Sequence, residues 1–182
     1  MVSGGNINPG PFRFSWSPTG TYLAYVADQD TRLQYELFVA TADGAIRNKV
    51  SPPLVSGGDV AGGSGISTVE WSPDGSRVAY RADANTDNVF ELFTNIPSGT
   101  DNQQVSGTMA GSGVTYFAWS PDGAQVAYGA TQDSATKVEI YASAPDGTGN
   151  IKVNGPTTDG VQAVNPTVPL FVWAPDSQRI VY

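Results

Sequence analysis

Cysteine and histidine are both absent from the 182 residues. That removes thiol nucleophiles, disulfides, His-based triads and the usual zinc ligand sets together, so composition alone argues for a protein that is not an enzyme. Basic residues are scarce as well: nine Lys and Arg stand against 17 Asp and Glu, a formal charge of −8. The positive footprint that attracts phosphate backbones is missing, and nucleic acid is not an expected partner. No apolar run approaches the roughly 20 residues of a membrane-crossing helix, and the first residues lack the charged and apolar regions of a signal peptide. No membrane insertion is expected. A cysteine-free chain rich in Ser, Thr, Asn and Gly suits an extracytoplasmic setting: periplasm, cell surface or secreted. A sustained 3.6-residue apolar period is also lacking, while 21 Gly and 13 Pro punctuate short apolar runs. Strands and turns are expected, with almost no helix.

What the chain does have is a repeat, and its repeats set the architecture. Trp16-Ser-Pro-Thr-Gly leads to Tyr25, Trp71-Ser-Pro-Asp-Gly to Tyr80, Trp119-Ser-Pro-Asp-Gly to Tyr128, and Trp173-Ala-Pro-Asp-Ser to Tyr182. Each copy reads as a hairpin. Pro at the second position of a type I turn fixes φ, Asp or Thr follows, and Gly supplies the left-handed residue of the bulge. The fourth copy has Ser177 in place of that Gly, so its turn is expected to be the most strained. Strand A is expected over Phe12 to Trp16, with Phe12, Phe14 and Trp16 on one face. Strand B is expected over Tyr22 to Val26, with Leu23 and Tyr25 on one face and Ala24 on the other. Large residues thus face one way and Ala24, Ala79 and Ala127 the other, which suits sheets stacked face to face with both faces buried. The four Trp are read as core residues.

A third strand is expected in each unit at Tyr35-Glu-Leu-Phe-Val, Phe90-Glu-Leu-Phe-Thr and Val138-Glu-Ile-Tyr-Ala, and a weaker fourth around Lys49-Val50, Gln104-Val105 and Lys152-Val153. The interval from Trp to that Val is 34 in all three copies, whereas 20, 13 and 19 residues then separate Val50, Val105 and Val153 from the next Trp. The units are of fixed length and only the connectors vary. The expected blades are 12–52, 67–107 and 115–155, with a half blade over 169–182, all within one array over 1–182. Val2-Ser-Gly-Gly repeats Val55-Ser-Gly-Gly of the first connector, which suggests that the chain starts inside a connector and that a blade precedes it in a longer parent.

Four-stranded units with a Trp-Ser-Pro-Asp-Gly hairpin and a following apolar-Ala-Tyr strand resemble the WD40-like repeat of TolB-type β-propellers, a repeat that also forms the propeller of some prolyl-oligopeptidase-like enzymes. The period of 48 to 55 residues exceeds the usual ~40 to 45 of such repeats because the connectors are long. The resemblance implies an all-β fold of three complete four-stranded antiparallel blades plus the first hairpin of a fourth, as a partial or assembled propeller. It also implies protein interaction at the cell envelope.

In such a blade the loop from strand B to strand C and the connector to the next blade leave on the same side, and loops on a rigid scaffold are where binding resides. Asp28, Asp30, Asp83, Asn85, Asp87 and Asp133 are therefore the candidate binding residues, with Asp59 and Asp159 added by the connectors. Asp83, Asn85 and Asp87 alternate as oxygen ligands do around Ca²⁺. Against a calcium loop, Asn88 stands where an EF-hand needs Gly and Thr94 where it needs Glu, and the simpler reading is that these side chains cap their own loop. No other cofactor is expected. Glu36, Glu91 and Glu139 recur in strand C, either as a carboxylate ring or as hydrogen-bonding partners of a neighbouring strand. Ser15, Ser17, Ser72 and Ser120 have no His and no Gly-x-Ser-x-Gly elbow, so no catalytic residue is assigned.

Three functional readings follow. The first is a non-enzymatic scaffold that binds a protein or a glycan through its acidic loop face. The second is a self-assembling protomer that joins open blade edges between chains into a ring or filament. The third is the propeller portion of a larger hydrolase.

Overall fold

The computed structural model describes residues 14–60, 69–156, 158–161 and 169–182. The amino-terminal motif that matches Val55-Ser-Gly-Gly, and Phe12 of the expected first strand, lie outside them. Among the described residues there are 14 strands and no helix. Blade 1 comprises β1 (Phe14–Trp16), β2 (Tyr22–Ala27), β3 (Glu36–Thr41) and β4 (Arg47–Lys49). Blade 2 comprises β5 (Val69–Trp71), β6 (Val78–Ala82), β7 (Glu91–Asn95) and β8 (Gln103–Gln104). Blade 3 comprises β9 (Val114–Trp119), β10 (Val126–Ala130), β11 (Glu139–Ser143) and β12 (Ile151–Lys152), and β13 (Val172–Trp173) pairs with β14 (Ile180–Val181) as a fourth, two-stranded sheet. Within each sheet every strand pairs antiparallel with its neighbour in sequence, so no crossover connection is needed inside a blade.

The hairpin turns have the chemistry their sequence demands. Gly20, Gly75 and Gly123 sit at φ 70°, 73° and 72°, and each donates its N–H to the Ser carbonyl three residues back, at 2.8 to 2.9 Å. Ser177 is held at φ 60° in the fourth turn, a conformation that carries strain for a residue with a Cβ. Its Oγ accepts the Asp122 N–H of the preceding turn at 3.0 Å. Consecutive turns therefore lie side by side, and a Cβ on Gly123 would stand 3.4 Å from the Pro73 ring.

Strand C starts one residue later than expected, at Glu36, Glu91 and Glu139. The backbones of Tyr35, Phe90 and Val138 are already engaged by the connectors: Val60 N–H donates to the Tyr35 carbonyl at 2.7 Å, Val114 to Phe90 at 2.8 Å, and Val161 to Val138 at 2.7 Å. A period-2 pattern does not distinguish a ladder partner in the sheet from one in a loop.

The core lies between blades. Ala24, Val26, Leu37 and Val39 of blade 1 pack against Trp71, Val78, Tyr80 and Phe93 of blade 2, and Ala79 and Leu92 of blade 2 against Phe117, Trp119, Val126 and Tyr128 of blade 3. Ala127 and Ile140 meet Phe171, Trp173 and Ile180 in turn. Small residues on the leading face receive large ones on the trailing face of the next blade. Each such large side chain contributes about 1.5–3 kcal/mol by leaving water.

Each interface is also pinned by polar contacts to backbone. The indole N–H of Trp71 donates to the Ser15 carbonyl at 3.0 Å, that of Trp119 to Glu70 at 3.3 Å, and that of Trp173 to Ala118 at 3.1 Å. On the outer side, Tyr80 Oη and Asn95 Nδ2 donate to the Val50 carbonyl at 3.0 and 2.7 Å, and Asn150 Nδ2 donates to the Val105 carbonyl at 3.0 Å. Tyr80 is further bonded to Asn102, and Tyr128 to Asn150. Burial raises the Tyr80 hydroxyl pKa well above its ordinary value and takes Tyr128 to about 12.

One expectation is corrected here. Trp71 and Trp119 are 8% exposed, but Trp16 is 51% exposed and Phe14 is 68% exposed. The trailing face of blade 1 is not buried, because a propeller Trp is covered by the blade before its own, and none stands there among the described residues. Trp173 is intermediate.

Candidate functional site

The B to C loops and the connectors form one knitted surface. In the first connector, Asp59 Oδ1 accepts the Tyr35 N–H of blade 1 at 2.6 Å while its own N–H donates to Asp83 Oδ1 of blade 2, also at 2.6 Å. Val55 N–H donates to the Ala84 carbonyl at 3.1 Å. The second connector repeats the clamp with a smaller residue: Gly113 N–H donates to Thr131 Oγ1 at 2.9 Å. A Cβ on Gly113 would collide with the Phe90 backbone, and its φ of 103° also favours glycine. These two connectors thus tie the loop of one blade to that of the next.

The six candidate residues divide by environment. Asp28 and Asp83 are buried and bond inside their own loops: Asp28 Oδ2 accepts Leu33 N–H at 3.2 Å and Asp83 Oδ2 accepts Asn88 N–H at 2.8 Å. Leu33 and Asn88 occupy the left-handed region, with φ 62° and 63°, so each carboxylate anchors a loop at its most constrained residue. Asn85 is exposed and donates to Glu91 Oε1 and Gln104 Oε1, each at 3.2 Å. Asp30, Asp87 and Asp133 are exposed. Asp30 lies 3.8 Å from Lys49 Nζ and Asp133 3.5 Å from Lys152 Nζ, while the Asp87 carboxylate lies against Gly57 of the connector.

Asp59 is the residue that ties these groups together electrostatically. Desolvation raises its pKa first, the Tyr35 N–H opposes, and the charges of Asp83 and Asp87 raise it further. Among the described residues, however, no three or more acidic side chains are placed to share a metal ion. Asp83, Asn85 and Asp87 face separate partners: the Asp59 and Asn88 N–H groups, the Glu91 and Gln104 side chains, and Gly57 of the connector.

The recurring strand C glutamates lie beneath this face. Glu36, Glu91 and Glu139 are all buried. Glu36 bonds Lys49 on strand D at 2.7 Å and Glu139 pairs with Lys152 at the equivalent place, so partnership with the neighbouring strand is what the geometry shows. Blade 2 has Gln104 where the others have Lys, and there burial raises the Glu91 pKa against the bond from Asn85. Arg81, missed at the level of sequence, spans to blade 3. Its guanidinium lies 5.2 Å from the Phe90 ring centroid and donates to the Thr115 carbonyl at 3.2 Å.

No family model matches the chain, and no curated protein matches its sequence. Solved structures do match its fold. TolB from Acinetobacter baumannii aligns with 93% of this chain at 15% identity and TM-score 0.56, using 37% of its own length. Oligogalacturonate lyase from Vibrio parahaemolyticus aligns with 92% at 15% identity and TM-score 0.59, using 44% of its length. A puromycin hydrolase aligns with 79% at 19% identity and TM-score 0.51, using 22% of its length. The chain spans less than half the length of each of these structures.

The fold is that of the TolB-type β-propellers. The same comparisons correct the expectation that the chain is not an enzyme, which rested on missing Cys and His, because a lyase and a hydrolase share this fold. At these identities the likeness establishes the fold and leaves activity open in either direction.

Proposed function

We propose that the chain is a propeller segment that binds a protein or a glycan through the face formed by its B to C loops and connectors, outside the cytoplasm. The observation that carries this reading is the connector clamp. Asp59 and Gly113 fix neighbouring loops relative to one another, while Asp30, Asp87 and Asp133 keep their carboxylates exposed on those fixed loops. Preordered acceptors lose little conformational freedom on binding, which favours recognition of cationic side chains or of sugar hydroxyls. The TolB-type fold and the cysteine-free composition support an extracytoplasmic setting.

The test is binding to a glycan array and to a panel of purified envelope proteins. A combined Asp30→Asn, Asp87→Asn and Asp133→Asn variant is expected to lose the partner bound by the parent chain and to keep its melting temperature. Equal binding by both would remove the loop face from consideration.

A further inference from the structure

Each strand C glutamate is met by one residue of strand D and one of the B to C loop, and the three blades fill that place differently. In blade 1 the Lys49 ammonium lies 2.7 Å from Glu36 Oε1 and 3.8 Å from Asp30. In blade 3 Lys152 pairs with Glu139 and lies 3.5 Å from Asp133. Blade 2 has neutral amides at both positions, Gln104 for the lysine and Asn85 for the outer aspartate. The glutamate is kept and its cation is not. Asn85 Nδ2 takes the ammonium's part, donating to Glu91 Oε1 and to Gln104 Oε1 at 3.2 Å each, longer than the roughly 2.7–2.9 Å of a charged N–H on a carboxylate. Blade 2 has a blade packed on either side, so this difference is its own.

Glu91 is left with an uncompensated charge. The residue is 6% exposed, and its Oε2 has no hydrogen-bond partner among the described residues. Glu36 Oε2 is likewise bare, but that carboxylate has an ammonium on its other oxygen, whereas among the described residues no Lys or Arg pairs with Glu91. Burial raises the Glu91 pKa, and what opposes it is the Asn85 side chain and backbone N–H groups rather than a cation. Asn85 and Gln104 are both exposed, so rotation of the Asn85 side chain withdraws Nδ2 and turns Oδ1 inward. Glu91, Gln104 Oε1 and Asn85 Oδ1 then offer three oxygens with one negative charge in total. A primary ammonium has three N–H donors and one positive charge, and the filled site is neutral.

We infer that the blade 2 site of Glu91, Gln104 and Asn85 receives a primary ammonium from outside the chain, carried by a lysine side chain of a protein partner. The occupant is identified by blades 1 and 3, which place a lysine ammonium on the same glutamate. A guanidinium is planar and forked, and does not match three oxygens converging on one point. That the ammonium belongs to a protein rests on the reading of the B to C loop face as a binding surface.

The experiment is an NMR titration read on the side-chain amide signals of Asn85 and Gln104. The probes are methylammonium chloride and Nα-acetyl-lysine methylamide, with potassium chloride and tetramethylammonium chloride at equal ionic strength. Methylammonium is expected to give a saturable shift with a Kd of about 10 mM or weaker, the limit for a ligand of two heavy atoms, and the lysine compound to bind at least as tightly. Potassium and tetramethylammonium bring charge without N–H donors and are expected not to saturate. Glu91→Gln removes the charge and is expected to weaken both amines at least about tenfold. Gln104→Lys supplies an internal ammonium: its melting temperature is expected to rise by roughly 1–4 °C at neutral pH, and its Asn85 signal to stop responding to either amine. The combined Asp30→Asn, Asp87→Asn and Asp133→Asn variant is expected to bind both amines within about threefold of the parent. A parent that binds a partner but no amine therefore overturns this inference alone, and amine binding by a chain whose partner binding survives the triple change overturns the loop-face reading alone. An unsaturable methylammonium response, an equal response to potassium, binding unchanged in Glu91→Gln or Gln104→Lys, or a lysine compound about tenfold weaker than methylammonium would each overturn the inference.

Discussion

Trp71 and Trp16 occupy the same position of the same motif, yet one is 8% exposed and the other 51%. Blade 2 is closed on both sides: its trailing face holds Trp71 against Tyr22 and the Ser15 carbonyl, and its leading face receives Trp119. Among the described residues, blade 1 is closed on its leading face alone. The difference teaches that a blade's residues do not own their burial, which a repeat receives from its neighbours. Equal sequence thus gives unequal energetics, and interior blades should respond to substitution far more strongly than the ends.

The sharpest way to break this comparison is truncation of equivalent tryptophans. Trp119→Ala is expected to cost about 3–5 kcal/mol, as for large core truncations, and Trp16→Ala under about 1 kcal/mol, when denaturant unfolding is followed on dilute samples. Equal losses would mean that Trp16 is covered in solution. Removing a hydroxyl probes the outer pins in the same manner. Tyr80→Phe strips a buried donor from the Val50 carbonyl and from Asn102 and should cost about 1–3 kcal/mol, whereas Tyr25→Phe, which loses only the bond from the exposed side at Gln29, should cost about 0.5 kcal/mol or less.

The smallest effect concerns Glu91, the strand C glutamate without a lysine partner. Its pKa is raised above the ordinary 4.5, chiefly by desolvation. A carboxyl with a raised folded-state pKa stabilises the fold while protonated, and that contribution is lost as pH rises through the folded value. Glu91→Gln removes the dependence. Its melting temperature should match the parent below about pH 4 and exceed it at neutral pH, whereas a variant less stable at pH 7 would show that the charge is held favourably.

The hairpin was legible almost residue by residue, because its turn depends on local chemistry: Pro, Asp and a left-handed residue at fixed spacing. Even the strain at Ser177 could be read there. The stacking of small against large faces was legible from Ala24, Ala79 and Ala127. The exposure of Trp16 was not, since it depends on what lies beside the blade rather than within it. Nor were the contacts of Asn102 and Asn150, although their recurrence 22 residues after Tyr80 and Tyr128, where blade 1 has Arg47, was the available signal. Within the loop face, Asp28 and Asp83 were found by composition, but their role in holding Leu33 and Asn88 was not, because a side chain that builds a loop and one that serves a ligand look alike in sequence. Asp59 was noted only as one more acid. Its clamp depends on a contact 24 residues away on either side, which no local pattern encodes.

The indole bond between blades has a consequence for how such chains change over generations. Its acceptor is a main-chain carbonyl, supplied by Ser15, Glu70 and Ala118 alike, so the donor never inspects the side chain it meets. A duplicated unit carries its own donor and offers its own acceptor, so this one bond forms again beside a sibling without a matching substitution. That main-chain bond is the part of the interface indifferent to side-chain identity, and the connectors of 20, 13 and 19 residues are the part that differs from one interface to the next.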